Sequence, residues 1–184
     1  MADQFDYVIV GAGTAGCVLA NRLTACGTYS VCLLEAGPPD WNPMIHIPAG
    51  FMKTIANPSV NWLYQSEPCP GTNGRTIPMP RGKVLGGSSS INGLIFNRGQ
   101  KMDFDVWAQK GNRGWSYDDV LPYFRRYENH ENSADASYRG QKGEMTITNL
   151  AWRDPLCEAF IDGAESIGIP RNPDYNGAYQ EGTS

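Results

Sequence analysis

Residues 6–37 read DYVIVGAGTAGCVLANRLTACGTYSVCLLEAG, and this stretch decides the fold. A β-branched and aromatic run leads directly into a G-x-G-x-x-G motif at 11–16, and a second apolar run, VCLL, ends at Glu35. The pattern predicts a strand, a phosphate-binding turn, a helix over about 14–23 and a second strand of the parallel type that is buried on both faces. We therefore predict a Rossmann-like α/β fold.

The glycine turn has the chemistry of a dinucleotide site. Gly11 permits the tight turn, Gly13 lets a pyrophosphate approach the backbone, and Gly16 lets the helix pack closely on the sheet. The helix N-terminus would direct its unpaired N–H groups at the phosphates. Glu35 lies nineteen residues after Gly16, where a carboxylate accepts hydrogen bonds from an adenosine ribose. The motif leaves NAD and FAD open, and a glycine-rich turn without a ligand is the alternative.

The overall composition favours a globular protein with a real core. Of 184 residues, 41% are hydrophobic and 18% charged, and the net charge of -4 gives no reason to expect nucleic acid or an anionic membrane as partner. Asp3 and Asp6 stand where a secretory signal needs basic residues, and the longest apolar run, 8–20, is too short to span a bilayer. We expect a soluble, cytoplasmic protein.

The cysteines and histidines do not form a metal-binding pattern. There are five cysteines, an odd number with no C-x-x-C pair, which is typical of reduced thiols. The two histidines, His46 and His130, are far apart, so we predict no metal site. We expect His46 to have a structural loop role, with a position near a substrate entrance as the alternative, and His130 to be a solvated loop residue.

Residues 41–80 form the longest stretch without periodicity. They are rich in Pro, Gly and Asn, and forty such residues are too many for a simple connection. We expect a lid or an extended arm. Trp62 and Tyr64 could cover a flat cofactor, or they could equally anchor the arm on the core.

A second glycine-rich motif occupies residues 80–93, PRGKVLGGSSSING. Its four glycines and three serines supply N–H and hydroxyl groups that can face a ligand, and Arg81 and Lys83 provide cations for phosphates. A flexible linker would normally lack the interleaved Val84, Leu85 and Ile91. We predict a second ligand-facing loop.

Residues 82–92, GKVLGGSSSIN, followed by Phe96, Gly99 and Asp105, resemble the first signature of the glucose–methanol–choline (GMC) family of FAD-dependent oxidoreductases. The first glycine motif, the Gly-Trp-Ser at 114–116 and LPYF at 121–124 are also placed as in that family, closest to its bacterial alcohol, choline and sorbose dehydrogenases. The resemblance covers essentially the whole chain. It implies a Rossmann-like FAD-binding domain followed by the beginning of a substrate-binding α+β domain.

The resemblance also implies which residues bind FAD, from the pyrophosphate and the adenosine ribose to the ribityl chain and the ring. The predicted cofactor-binding residues are Gly11, Gly13, Thr14, Ala15, Gly16, Glu35, Ala36, Trp62, Arg81, Val84, Gly87, Asn92, Gly93 and Leu94. In members that bond the flavin covalently through histidine, that histidine stands just before the motif asparagine. Ile91 occupies this position here, which predicts noncovalent FAD.

The predicted organisation has four parts. Residues 1–37 start the Rossmann unit, 38–80 form the arm, 81–150 hold the second motif and further helices, and 151–184 start the substrate-binding domain. Family members are much longer, and their catalytic histidine with its partner lies further C-terminal. We expect this chain to be the N-terminal piece of a longer enzyme, to associate with that remaining C-terminal part, and to be inactive alone.

The implied reaction oxidises a small alcohol at its CH–OH group to an aldehyde or ketone, with hydride transfer to flavin N5 and a histidine base supplied by the C-terminal part. Two alternatives come from other classes: a non-redox enzyme on the same scaffold, of the hydroxynitrile lyase or photodecarboxylase type, and an inert FAD-binding fragment. The second glycine motif argues against a plain NAD dehydrogenase.

Sequence patterns also predict elements in the second half of the chain. A short helix is expected over 103–110, and a second follows a capping box at Ser116, with Pro122 either kinking it or marking its true start. Residues 144–149 alternate like a half-buried strand. Asp154 begins a helix whose apolar face reaches residue 167, and residues 174–177 read as a turn.

Overall fold

A computed structural model describes residues 4–132 and 135–184. The chain forms two compact units, one ending at Ile95 and the other spanning Phe96–Ser184. The first contains strand β1 (Tyr7–Val10), helix α1 (Thr14–Thr24) and strand β2 (Val31–Leu34). The two strands pair in parallel, from Tyr7 opposite Val31 to Val10 opposite Leu34. This confirms the predicted Rossmann-like βαβ unit and its helix.

Burial of β2 differs from the prediction that this strand is covered on both faces, and β1 is likewise covered on one face. Ile9 is buried, whereas Val10 is 84% exposed and Leu34 is 51% exposed. Alternate residues of a strand point to opposite faces, and Ile9 points to the face that α1 covers, since a Cβ placed on Gly16 would lie 3.4 Å from Ile9 Cγ2. The opposite face, which carries Val8 and Val10, is uncovered by the described residues.

The predicted arm folds into short elements. Helices α2 (Pro43–His46) and α3 (Phe51–Thr54) flank a 3₁₀ turn, and strands β3 (Tyr64–Gln65) and β4 (Pro78–Met79) pair antiparallel. No longer element forms here because proline, which lacks an N–H, recurs along the stretch. The arm is anchored where the Trp62 N–H donates to Arg81 O at 2.9 Å and the Lys83 N–H to Val60 O at 2.8 Å.

A small apolar core lies beneath the arm. Val60, Val84 and Ile91 are each at most 4% exposed and pack together, with Ile45 against them. Two of these residues belong to the second glycine motif. Its apolar positions therefore hold that motif in place, which agrees with the prediction that it is not a flexible linker.

The second unit contains helices α4 (Lys101–Gln109), α5 (Tyr117–Tyr127) and α6 (Pro155–Ser166) and the parallel strands β5 (Glu128–His130) and β6 (Met145–Ile147). The predicted capping box is present at α5, where Ser116 Oγ accepts the Asp119 N–H at 3.3 Å and Asp119 Oδ2 accepts the Ser116 N–H at 3.1 Å. The helix begins at Tyr117 and continues through Pro122. Asp154 Oδ1 caps α6 as predicted, by accepting the Leu156 N–H at 2.7 Å.

Two predictions for this unit were wrong. His130 is buried rather than solvated, because residues 128–130 form β5 and its N–H donates to Gly140 O at 2.8 Å. On α6, Ile161 and Ala164 are buried, but Phe160 and Ile167 are more than 70% exposed. The predicted apolar face is therefore only half covered by the described residues.

Glu128, fully buried in this second unit, is held by two arginines. Its carboxylate forms ion pairs with Arg98 and with Arg139, whose Nε lies 2.6 Å from Glu128 Oε1. Arg139 also reaches Asp174 at 2.7 Å, while Asn176 Oδ1 accepts the Arg98 N–H at 2.8 Å. Buried charges need such pairing, so this network ties together distant segments of the unit.

Candidate cofactor site

The two glycine motifs, more than sixty residues apart in sequence, meet in the first unit. The Gly86 N–H donates to Ala12 O at 2.8 Å. A Cβ on Gly87, which has φ +60°, would lie 2.8 Å from Gly13 Cα. A residue with a Cβ at position 87 could not approach the first motif so closely, so the contact depends on the glycine of the second motif.

The glycines of the first motif have different surroundings. Gly11 has φ +97°, a left-handed conformation that favours glycine. A Cβ on Gly16 would lie 1.9 Å from Gly11 O, so this glycine lets α1 pack on the turn. A Cβ on Gly13 would meet nothing closer than Gly87 Cα at 3.9 Å. The space beside Gly13 is therefore open on the protein side.

The N-terminus of α1 is free of side-chain caps in the part of the chain that the structure describes. Gly13 is the N-cap residue, and the Cys17 N–H donates to Gly13 O at 2.9 Å. The N–H groups of Thr14, Ala15 and Gly16 come before that bond, at the positive end of the helix dipole. Such a terminus is suited to a phosphate.

Glu35 is tied to the backbone around the first motif. Its Oε2 accepts the Ala12 N–H at 2.8 Å, and its Oε1 accepts the Gly37 N–H at 2.9 Å. A carboxylate has about four lone-pair sites, so both oxygens can still accept from a ligand. Ala36, which lies between Glu35 and Gly37 in the sequence, is exposed.

Gly37 is a residue of this site that the sequence reasoning missed. A Cβ there would lie 2.0 Å from Lys83 O. The Leu85 N–H donates to Pro38 O at 3.0 Å, so the segment that follows β2 is bonded directly to the second motif. A glycine two residues after Glu35, at the end of the first motif unit, was the signal that could have found it.

Residues of the second motif divide into buried and exposed sets. Val84 is fully buried and Ile91 is 4% exposed, and both belong to the small core. Arg81 is exposed, and its Nη1 donates to Pro80 O at 2.7 Å. Gly87 is buried at the contact with the first motif.

Residues 92–94 form an exposed turn. The Leu94 N–H donates to Asn92 Oδ1 at 3.0 Å, and Leu94 has φ +61° with 62% of its surface exposed. Gly93, at its centre, is exposed as well. These three predicted residues thus present backbone and an apolar side chain to the outside of the unit.

Trp62 forms a flat aromatic platform with Tyr64. The two rings are stacked, with centroids 5.8 Å apart and planes 4° apart, and Lys83 Nζ lies 4.7 Å from the Trp62 ring centroid. Trp62 is 41% exposed. Asn61 beside it, also missed from the sequence, is 2% exposed and holds the arm to the motif by accepting the Arg81 N–H at 3.0 Å.

The described residues contain no cluster of three or more potential metal ligands. His46 is exposed, and its Nε2 lies 2.6 Å from Asp40 O. The five cysteines are free thiols. Among the described helices none is long and apolar enough to cross a membrane.

Taken together, a parallel βαβ unit, an uncapped helix N-terminus and two glycine motifs in contact define a dinucleotide-binding α/β protein. A family model for GMC oxidoreductase matches residues 5–184, and the chain belongs to that family. GMC oxidoreductases are FAD-dependent, and this chain corresponds to their N-terminal, FAD-binding region. Its open space at Gly13 and free helix N-terminus fit the FAD pyrophosphate.

Relatives of known function and solved structure are similar along nearly the whole chain. An alcohol dehydrogenase [acceptor] from Pseudomonas putida is 43% identical over 179 residues, which are 97% of this chain and 32% of that protein. An oxygen-dependent choline dehydrogenase from Brucella ovis is 45% identical over the same shares. Pyridoxine 4-oxidase from Mesorbium loti superposes with a TM-score of 0.86 at 36% identity, covering 94% of this chain and 34% of that one. The chain thus spans about a third of the length of these relatives.

Proposed function

We propose that this chain is the FAD-binding part of an enzyme that oxidises an alcohol CH–OH group to an aldehyde or ketone. The observation that carries the proposal is the contact between the two glycine motifs, where the Gly86 N–H bonds to Ala12 O at 2.8 Å. It places the cationic second motif beside a helix N-terminus suited to phosphates. Relatives named alcohol dehydrogenase and choline dehydrogenase support the alcohol substrate.

FAD, when bound, supplies the acceptor for the hydride that leaves the alcohol carbon. The residues of this chain bind and orient it. The N–H groups of Gly13, Thr14, Ala15 and Gly16 hold the pyrophosphate, and Glu35 accepts from the adenosine ribose hydroxyls through its remaining lone pairs. The negatively charged Glu35 would repel a phosphate on the ribose 2′ position, so we expect the site to exclude dinucleotides that carry one.

The second motif and the arm complete the site. In our proposal the residues that line the cofactor from the ribityl chain to the ring are Arg81, Val84, Gly87, Asn92, Gly93 and Leu94. Ala36 lies near the ribose. We propose that Trp62 covers one face of the flavin ring. Trp62 is stacked on Tyr64 and is 41% exposed, so part of its surface is available for this contact.

We propose that FAD is held without a covalent bond. Ile91 carries no nucleophile and is 4% exposed in the core formed with Val60 and Val84. We assign the catalytic base to the remaining C-terminal part of the enzyme. His46 is a poor candidate, because it is exposed and its Nε2 contacts Asp40 O at 2.6 Å. We also propose that the chain divides into four parts, with boundaries at residues 37, 80 and 150.

The experiment is the visible absorption spectrum of the longest natural form of the protein before and after acid precipitation. We expect a flavin spectrum whose colour moves to the supernatant. Colour in the pellet would contradict the noncovalent attachment, and a folded protein that cannot be reconstituted with FAD would contradict the cofactor itself. Alcohol added anaerobically in the dark should then bleach the flavin, whereas a lyase or a photodecarboxylase would leave it oxidised.

A further inference from the structure

Two turns in the first unit have the same construction and the same sequence pattern, Asn-x-Leu. In the turn Asn61-Trp62-Leu63, the Leu63 N–H donates to Asn61 Oδ1 at 2.9 Å. In the turn Asn92-Gly93-Leu94, the Leu94 N–H donates to Asn92 Oδ1 at 3.0 Å. In each turn an asparagine oxygen fixes the backbone two residues further on.

Both leucines adopt a backbone conformation that leucine rarely takes. Leu63 has φ +54° and Leu94 has φ +61°. In the described chain, the only other non-glycine residue with positive φ is Asn73, a residue type that tolerates this region. For an L-residue other than glycine, the population of the left-handed conformation is lowered by a factor of roughly 5 to 30. The strain persists because the asparagine oxygens stabilise it.

The side chains of the two strained leucines are not buried in the core. Leu63 is 41% exposed and Leu94 is 62% exposed, so burial of their side chains does not repay the strain. What the two turns share is the residue at the centre. Trp62 and Gly93 are both among the residues predicted to contact the cofactor, although they come from separate segments of the chain. Backbone strain of this kind is concentrated at ligand sites.

The two asparagines are held to different degrees. Asn61 is 2% exposed, and it also donates to Ile55 O at 2.6 Å and accepts the Arg81 N–H at 3.0 Å, so its turn is locked into the core. Asn92 is exposed, and the bond to Leu94 fixes its turn. The Asn92 turn can therefore be altered without breaking buried contacts.

We propose that Asn92 is a positioning residue, whose side chain presets Gly93 and Leu94 in the conformation that receives the flavin ring, as Asn61 does for Trp62. This rests on the proposed FAD site. On this view the Asn92 side chain fixes the backbone of the next two residues, and Asn92 itself lines the cofactor only through its backbone. Preorganisation raises affinity because a protein that populates the binding conformation more fully has a lower apparent Kd.

A rescue experiment tests the proposal on the longest natural form of the protein, stripped of FAD and reconstituted. Asn92→Ala removes the acceptor, and we expect the Kd for FAD to rise by about 5- to 30-fold, the factor by which left-handed leucine is disfavoured. Adding Leu94→Gly should restore the Kd to within about threefold of the original, because glycine adopts positive φ without that penalty. The visible circular dichroism of the bound flavin should be perturbed in Asn92→Ala and recover in the double variant.

The matched control is Asn73→Ala, at the third left-handed residue, in a turn that contributes no predicted cofactor contact. It should lower the unfolding temperature and leave the Kd for FAD unchanged. An unchanged Kd in Asn92→Ala would overturn the positioning role. So would a double variant as weak as Asn92→Ala when Leu94→Gly alone leaves the Kd unchanged, which would indicate direct contact of the Asn92 side chain with FAD. Failure of the unaltered protein to bind FAD would instead overturn the proposed function.

Discussion

Gly13 and Gly16 lie three residues apart in one motif and are surrounded differently. A Cβ on Gly16 would overlap Gly11 O at 1.9 Å, whereas a Cβ on Gly13 would have its nearest neighbour at 3.9 Å. Gly13 also has φ -77°, which alanine adopts without strain. One glycine is therefore needed by the protein itself, and the other leaves room for a ligand.

We predict that Gly13→Ala folds normally but binds FAD about tenfold or more weakly, because forcing a methyl group into a close contact costs roughly 1–3 kcal/mol. Gly16→Ala should lower the free energy of unfolding by a similar or larger amount, because its methyl group meets backbone. Thermal unfolding of the apoprotein and FAD titration separate the two effects. Loss of stability in Gly13→Ala would contradict the assignment of open space to the pyrophosphate.

Glu35 has a structural role that its predicted role in ribose binding did not include. Its carboxylate accepts the N–H of Ala12, which is fully buried, as well as the N–H of Gly37. We predict that Glu35→Ala destabilises the apoprotein by about 1–3 kcal/mol, the cost of an unsatisfied buried donor. It should also weaken FAD binding. Denaturant unfolding with and without FAD measures both, with Glu67→Ala at an exposed site as the control.

At the scale of elements, β1 and β2 are joined at their starts by Asp6 and Ser30. Asp6 Oδ2 accepts the Ser30 N–H at 2.7 Å and the Ser30 hydroxyl at 2.8 Å. Both hydrogen bonds lower the pKa of Asp6, and the bond from the Ser30 N–H has the larger effect. A carboxyl group whose pKa is lower in the folded state stabilises the fold above its unfolded pKa, near 4, and loses that contribution as the pH falls through the folded pKa.

We therefore predict that Asp6→Asn reduces the free energy of unfolding at pH 7 and that this difference shrinks as the pH is lowered toward 3. Urea unfolding of both proteins across this range measures it. Ser30→Ala removes the hydroxyl donor and should reduce the pH dependence in the same direction. A difference that stays constant with pH would show that the ionised form of Asp6 does not contribute.

At the scale of the whole molecule, the second unit is organised by one buried carboxylate. Glu128 pairs with Arg98 and Arg139, and Arg139 pairs in turn with Asp174. Burial raises the pKa of Tyr127, next to this carboxylate in sequence, which reflects the low polarity of the surroundings. Two arginines without Glu128 would be buried charges with too few partners.

We predict that Glu128→Ala destabilises the second unit by about 3–5 kcal/mol, the cost of breaking a buried ion pair by removing one partner. Hydrogen exchange should accelerate within residues 96–184, while residues 4–95 keep their protection. Glu165→Ala, at an exposed position of α6, should change neither region. Equal acceleration in both regions would contradict the assignment of the network to one unit.

The sequence alone determined the features that depend on neighbouring residues. The spacing of Gly11, Gly13 and Gly16 between two apolar runs specified β1, α1 and β2, because turn, helix and strand preferences act within a few residues. The caps at Ser116 and Asp154 were readable for the same reason. The second motif specified the family and, with it, FAD.

Only the tertiary structure decided how distant residues meet. The contact of Gly13 with Gly87, the bond from Glu35 to the Ala12 N–H and the burial of His130 each join or cover segments that local preferences leave independent. Likewise, the apolar pattern marked Val10 as a strand residue, but its exposure depends on which elements lie over that face. Local conformational preferences fix elements, whereas close packing between elements fixes contacts and burial, and packing is a property of the assembled chain.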